Sequence, residues 1–111
     1  MIKVTKKKEK CLAEIAGEMT IYNAAEFKDA LAPLLDEPRA IEINLSKVSE
    51  MDTAGVQLLM LAKRERQRSG LAISLNKHSK AVLDAFELFN LVPYFNDPVM
   101  LARKRGEKHG S

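Results

Sequence analysis

A carboxylate and a hydroxyl stand side by side where a predicted strand leads into a predicted helix. The apolar–polar alternation of residues 41–45 predicts the strand, and a helix is predicted over residues 52–70 with Gly70 as its terminating glycine. Asp52 or Thr53 can cap this helix by accepting hydrogen bonds from backbone N–H groups that otherwise have no partner. Loops between a strand and a helix open at the carboxyl edge of an α/β sheet, where such folds usually carry their sites.

The hydroxyl of Thr53 is a candidate for phosphorylation as well as for capping. We expect it to lie beside unpaired backbone N–H groups and the positive end of the helix dipole, which together accommodate a phosphate. On this reasoning alone two interpretations stay open, a helix cap and a phosphate acceptor. The two are compatible in one residue.

The stretch LSKVSEMDTAGV, residues 45–56, resembles the signature of STAS domains of the anti-sigma-factor-antagonist type. Asn44 stands where members of that family often have Asp, and Thr53 where many have Ser. Residues 17–27 and residues 82–91 resemble the segments around the first helix and the late helix of the family. The resemblance implies that Thr53 is the residue that a partner kinase phosphorylates and that Asp52 is its acidic neighbour.

The same resemblance implies a regulatory function. It implies that the unphosphorylated protein binds an anti-sigma factor or a related Ser/Thr kinase. Phosphorylation of Thr53 would end that interaction, and a phosphatase would restore it. An alternative is a regulatory subunit that docks on the ATPase of a lipid-trafficking ABC transporter, where Thr53 would be an interface contact without a phosphorylation cycle.

The first half of the central helix is apolar on nearly all sides, which predicts that part of it faces a partner. Met60 is the residue that we most expect to be exposed, because Met is common at adaptable binding surfaces. The alternative is a helix that its neighbours cover more deeply. The predicted switch loop and partner-binding surface comprises Met51, Asp52, Ala54, Gly55, Val56, Leu59 and Met60.

The remaining patterns predict one α/β domain over residues 1–111 with a small mixed sheet. Apolar alternation in residues 2–5 and 11–16 predicts a leading antiparallel hairpin, and consecutive strand–helix–strand units predict parallel central strands. A helix over residues 23–35 is expected to kink or end near Ala32 because Pro33 removes a hydrogen bond. About four helices are expected. One is capped by Ser79 and has an apolar face of Val82, Ala85, Phe86 and Phe89, and a short last one has Asp97 as its cap and Pro98 as its first residue. A frayed basic tail is expected over residues 105–111.

Composition excludes several function classes. The net charge is +3, glutamates interrupt every basic run, and aromatic residues are scarce, so no nucleic-acid partner is expected. The basic runs, including residues 63–68, are expected to lie on the solvated surface. Cys11 is the only cysteine and His78 has no metal-ligand neighbours, so no cofactor or metal is expected. No acid, base and nucleophile converge, which favours a protein that is not an enzyme. Without a signal sequence or a membrane-length apolar run, we expect a cytoplasmic protein that does not insert into membranes. A homodimer is left open.

Overall fold

The computed structural model describes residues 1–89, which form a four-stranded sheet and three α-helices. The strand order is β1-β2-β3-β4, with β1 antiparallel to β2 and the other neighbours parallel. This confirms the predicted mixed sheet with a leading hairpin at its edge. The predicted last helix and basic tail lie outside the described residues. The elements in chain order are β1 (Ile2–Lys6), β2 (Lys10–Met19), α1 (Ala24–Leu31), a 3₁₀ helix (Ala32–Asp36), β3 (Ala40–Met51), α2 (Thr53–Arg68), β4 (Ile73–Asn76) and α3 (Lys80–Leu88).

One face of the sheet packs against the helices and forms the core. Alternate residues of β2 and β3 are buried there because successive side chains of a strand point to opposite faces. The helices cover this face with apolar side chains at three- and four-residue spacing. The main contributors are Cys11, Ala13, Ile15, Ile41, Ile43 and Leu45 from the strands and Phe27, Leu31, Leu59, Val82 and Phe86 from the helices.

The two central strands are longer than the alternation predicts. β3 continues from Leu45 to Met51, and β2 continues to Met19, with register shifts at Glu14/Ala16 and Gly17/Glu18. The short loop predicted between residues 45 and 52 was therefore wrong. Its polar residues are held in strand by backbone pairing with β2, which apolar periodicity does not report. As a result the strand leads directly to Asp52.

The segment after α1 follows the expected effect of proline. The α-helix ends at Leu31, and a 3₁₀ helix with Pro33 in its first turn continues to Asp36. Phe27 and Leu31 are buried as the spacing predicts, but Ala30 is exposed because the helix packs on the core along a narrower stripe.

The C-terminal end of α2 is held by a buried arginine. Arg66 is 0% exposed, and its guanidinium donates hydrogen bonds to backbone carbonyls, at 3.2 Å for Leu34 and 2.8 Å for Arg39. It also donates to the carbonyls of Glu37 and Ala72. The sequence interpretation placed this charged stretch on the solvated surface, which was wrong for Arg66. Its guanidinium joins chain segments that are distant in the sequence through their backbone carbonyls.

Candidate functional site

Asp52 is the helix cap of α2, and Thr53 is the first residue of the helix. The Asp52 carboxylate accepts hydrogen bonds through Oδ1 from the N–H groups of Ala54 at 2.9 Å and Gly55 at 3.3 Å. Thr53 is exposed. Of the two residues predicted as caps, the structure selects Asp52, so the hydroxyl of Thr53 is not needed to start the helix.

The expectation of unpaired N–H groups beside Thr53 was wrong for the first turn of α2. Asp52 already occupies the N–H groups of Ala54 and Gly55 with its side chain, and its carbonyl accepts from Val56 at 3.1 Å. A phosphate on Thr53 would therefore compete with the Asp52 carboxylate for the same donors.

The same carboxylate ties α2 to the loop that follows β2. Oδ2 of Asp52 accepts a hydrogen bond from the N–H of Ile21 at 3.0 Å. This hydrogen bond from Ile21 is the largest cause that lowers the pKa of Asp52, and the N–H groups of Gly55 and Ala54 lower it further against the effect of burial. Asp52 is thus ionised near neutral pH, and one side chain fixes the two segments around Thr53.

Gly55 brings the start of α2 against the end of β2. A Cβ added at Gly55 would lie 2.3 Å from the carbonyl oxygen of Met19 and 2.8 Å from its Cβ, distances that real side chains do not reach. The backbone N–H of Asp52 donates to that same carbonyl at 3.3 Å. Only glycine permits this approach, which holds Thr53 at the edge of the sheet.

The structure divides the residues predicted to bind a partner. Val56 is 3% exposed and Leu59 is 1% exposed, so their side chains pack in the core and hold α2 on the sheet. Gly55 is also buried, and the expectation that these three contact a partner is corrected. For them, the alternative of a more deeply covered helix is the right one. Met51, Asp52, Ala54 and Met60 are half-buried.

Large apolar side chains that the sequence interpretation missed lie on either side of Thr53. Ile21 is 66% exposed and Tyr22 is 92% exposed in the loop after β2, and Leu88 is 77% exposed at the end of α3. Phe89, which was predicted on the buried face of α3, is 39% exposed. An apolar pair in a loop between two regular elements was the available signal for Ile21 and Tyr22.

An open groove of about 690 Å³ lies between the ends of β2 and β3 and helix α3. Thr20 lines it and is 9% exposed, and the hydroxyl of Thr20 has no hydrogen-bond partner in the described part of the chain. An unsatisfied buried polar group costs about 1–3 kcal/mol. The other lining residues are Glu18, Tyr22, Ser49, Glu50, Met51, Asp52, Thr53, Ala81, Asp84, Ala85, Leu88 and Phe89.

Over residues 1–89, no group of three or more His, Cys, Asp or Glu side chains is placed to hold a metal ion. None of the helices there combines the length and apolar character needed to cross a membrane.

Comparison with known proteins decides the family. A family model described as "Mlab, STAS domain" matches residues 2–93. The chain belongs to the STAS family. The resemblance drawn from residues 45–56 is thereby confirmed.

Similar proteins of the family carry regulatory names. The STAS domain described here is 27% identical over 77 residues to an anti-sigma-B factor antagonist of Bacillus subtilis, covering 69% of this chain and 71% of that protein. An anti-sigma factor antagonist from Mycobacterium paratuberculosis superposes with a TM-score of 0.77 at 17% identity, over 95% of this chain and 93% of that one.

A third similar protein is known in two chemical forms. Unphosphorylated SpoIIAA, an anti-sigma factor antagonist, has a TM-score of 0.68 at 20% identity, with 96% of this chain and 97% of that chain covered. The phosphorylated form of Bacillus SpoIIAA has a TM-score of 0.63 at 19% identity, with 84% and 86% covered. At these identities the structural likeness establishes the shared fold.

Proposed function

We propose that this STAS domain is a non-enzymatic switch of the anti-sigma-factor-antagonist type. In its unphosphorylated form it binds an anti-sigma factor or a related Ser/Thr kinase, and phosphorylation of Thr53 by that kinase releases it. A phosphatase restores the binding form. The observation that carries the proposal is the position of Thr53, which is exposed at the start of α2 and relieved of capping by Asp52.

In this proposal Thr53 is the substrate of the kinase and has no catalytic role of its own. The hydroxyl oxygen of Thr53 would form the new bond to the γ-phosphorus of a nucleotide held by the kinase, while the bond to the leaving diphosphate breaks. The hydroxyl proton goes to a base of the kinase, because the Asp52 carboxylate already accepts hydrogen bonds from three backbone N–H groups. Because the kinase supplies the nucleotide and the base, the domain itself needs no catalytic residues.

A phosphate on Thr53 would act on the surface through Asp52. It adds about −1.5 to −2 charges. A partner that presents an acidic group beside Thr53 would bind about a hundredfold more weakly, because two unit negative charges at about 5 Å and an effective dielectric constant near 20 repel by about 3 kcal/mol. The same repulsion acts between the phosphate and Asp52. Because Asp52 holds the N–H of Ile21, this repulsion bears on the loop that presents Ile21 and Tyr22. The volume of the phosphate adds a steric effect at the same place.

The second candidate function is the transporter subunit, the alternative that the resemblance to STAS domains leaves open. In that case the surface around Thr53 would dock on an ABC ATPase, and Thr53 would act as an unmodified interface contact. The two candidates differ in the partner and in the effect of phosphorylation.

The test compares binding partners of three baits in native lysate. Wild type, Thr53→Ala and Thr53→Glu are immobilised, and bound proteins are identified by mass spectrometry. The proposal predicts a kinase-type protein on Thr53→Ala that is depleted at least tenfold on Thr53→Glu. The matched control is Thr5→Ala, which removes an exposed threonine from β1 and should bind like wild type.

A second step tests the modification itself. The captured kinase is incubated with ATP and the wild-type domain, and the phosphorylated residue is mapped. Phosphate on Thr53 supports the switch. Capture of an ABC ATPase on all baits would replace it with the transporter function, and equal kinase binding to Thr53→Ala and Thr53→Glu would contradict it.

A further inference from the structure

Two carboxylates lie side by side in the groove next to Thr53. Glu18 of β2 and Glu50 of β3 are register partners on neighbouring parallel strands, which run about 5 Å apart. Both line the groove. Like charges at paired positions destabilise a sheet, and neither carboxylate has a cation partner among residues 1–89.

The same two strands neutralise their other glutamates. Glu14 of β2 pairs with Lys47 at 3.4 Å, and Glu42 of β3 pairs with Lys10 at 3.1 Å. The chain carries 18 Lys and Arg residues and a net charge of +3, yet among residues 1–89 the lining of the groove contains four carboxylates and no Lys or Arg. Of the four, Asp84 pairs with Lys80 at 2.8 Å, just outside the lining. The groove is thus locally acidic, although the chain as a whole carries a net positive charge.

The groove also offers an unused hydrogen-bonding group and apolar contacts. The Thr20 side chain lines it, and the Thr20 hydroxyl has no hydrogen-bond partner in the described residues. Tyr22 and Leu88 contribute exposed apolar surface to the same lining. Unpaired carboxylates beside exposed aromatic and aliphatic side chains suit a cationic group carried between apolar neighbours.

We propose that this groove docks a segment of the partner protein in which an arginine or lysine is flanked by apolar residues. The cation lies against Glu18 and Glu50, and the apolar neighbours pack on Tyr22 and Leu88. The inference rests on the proposed function for the existence of a partner and adds the chemistry of its contact surface. It also means that a phosphate on Thr53 releases the partner by its volume and its effect on Asp52, since a cationic segment is not repelled by added negative charge.

The test titrates the isotope-labelled domain with short synthetic peptides and follows amide resonances by NMR. One peptide carries an arginine between leucines, and the second carries citrulline, a neutral analogue of the same shape, in its place. We expect the arginine peptide to shift the resonances of Glu18, Glu50 and Ala81 and to bind about tenfold more tightly than the citrulline peptide. The double variant Glu18→Gln/Glu50→Gln should remove that preference.

The matched control is Glu14→Gln, which alters a glutamate of β2 that already has a lysine partner. It should bind the arginine peptide like wild type. Equal binding of the two peptides, an equal loss in the control, or no shift at the groove would overturn the proposal. No kinase or phosphorylation enters this titration, so a failed peptide test leaves the Thr53 switch standing. A failed kinase test removes the kinase as the partner but leaves the measured preference of the groove for the arginine peptide.

Discussion

The two ends of helix α2 use a charged side chain in the same way and differ in what they leave at the surface. At the start, the Asp52 carboxylate accepts hydrogen bonds from three backbone N–H groups. At the end, the Arg66 guanidinium donates to four backbone carbonyls. Each charge joins separate segments of the chain through backbone hydrogen bonds.

The difference lies in the surroundings. The carboxylate near Arg66 is buried and paired. Glu37 is 6% exposed, and its carboxylate accepts hydrogen bonds from the backbone N–H and the guanidinium of Arg39. That backbone hydrogen bond is the largest cause that lowers the pKa of Glu37, with Arg39 and Lys6 as positive neighbours. Around Asp52 an exposed hydroxyl and two unpaired glutamates remain. One end of α2 is therefore buried and hydrogen-bonded to the backbone, whereas the other end leaves polar groups accessible at the surface.

The largest expected effect is at the closed end. Arg66→Met removes the guanidinium that donates to four backbone carbonyls and should lower the free energy of unfolding by about 3–5 kcal/mol, as for a broken buried charge network. Urea denaturation measures it. Arg64→Met, two residues earlier and exposed, should stay within about 0.5 kcal/mol of wild type. Equal effects of the two substitutions would remove the distinction between the two ends.

The next effect is at the contact between α2 and β2. In an ordinary helix, replacing glycine by alanine stabilises by roughly 0.5–1 kcal/mol. Gly55→Ala should instead destabilise by about 2 kcal/mol, because the added Cβ meets the Met19 backbone. Thermal and urea unfolding report the sign. Gln57→Ala, an exposed change in the same helix, is the control, and a stabilising Gly55→Ala would show that the close approach is not required.

Loss of the cap should cost less. Asp52→Ala is expected to lower stability by about 1–2 kcal/mol at pH 7. Because the pKa of folded Asp52 lies below its unfolded value of about 3.9, its contribution is fully present above that value and is lost as pH falls through the folded pKa. Urea midpoints of wild type and Asp52→Ala should therefore differ from pH 5 to 7 and converge on acidification below about pH 4. A gap independent of pH would mean that the carboxylate charge is not what stabilises this end.

The smallest effect has the opposite sign. Glu18→Gln removes one charge of the like-charged pair with Glu50, so it should raise stability by roughly 0.2–1 kcal/mol. The gain should shrink in high salt because salt screens exposed charges. Glu14→Gln, which loses the Lys47 contact, should give no gain. A destabilising Glu18→Gln would indicate that the groove carboxylate supports the fold rather than recognition.

The resemblance to STAS domains, the mixed sheet and the position of Thr53 between strand and helix could all be predicted from the sequence. Periodicity two in residues 41–45 and the glycine at position 70, which has a φ of +72°, are local properties that neighbouring residues dictate. The end of α1 before Pro33 also follows from a local property, because proline has no backbone N–H to continue the helix. Such features follow from backbone sterics and do not depend on distant contacts.

Which side chains around Thr53 are accessible and which are buried depends on tertiary packing. Whether Val56 and Leu59 face a partner or the core depends on what packs over α2, and periodicity cannot show that in a helix that is apolar on nearly all sides. The burial of Arg66 depends on carbonyls up to 32 residues away. The pairing of Glu18 with Glu50 depends on strand register across a bulge. Each of these features depends on contacts between segments that are distant in the sequence. Burial and charge pairing therefore cannot be predicted from a single stretch of chain.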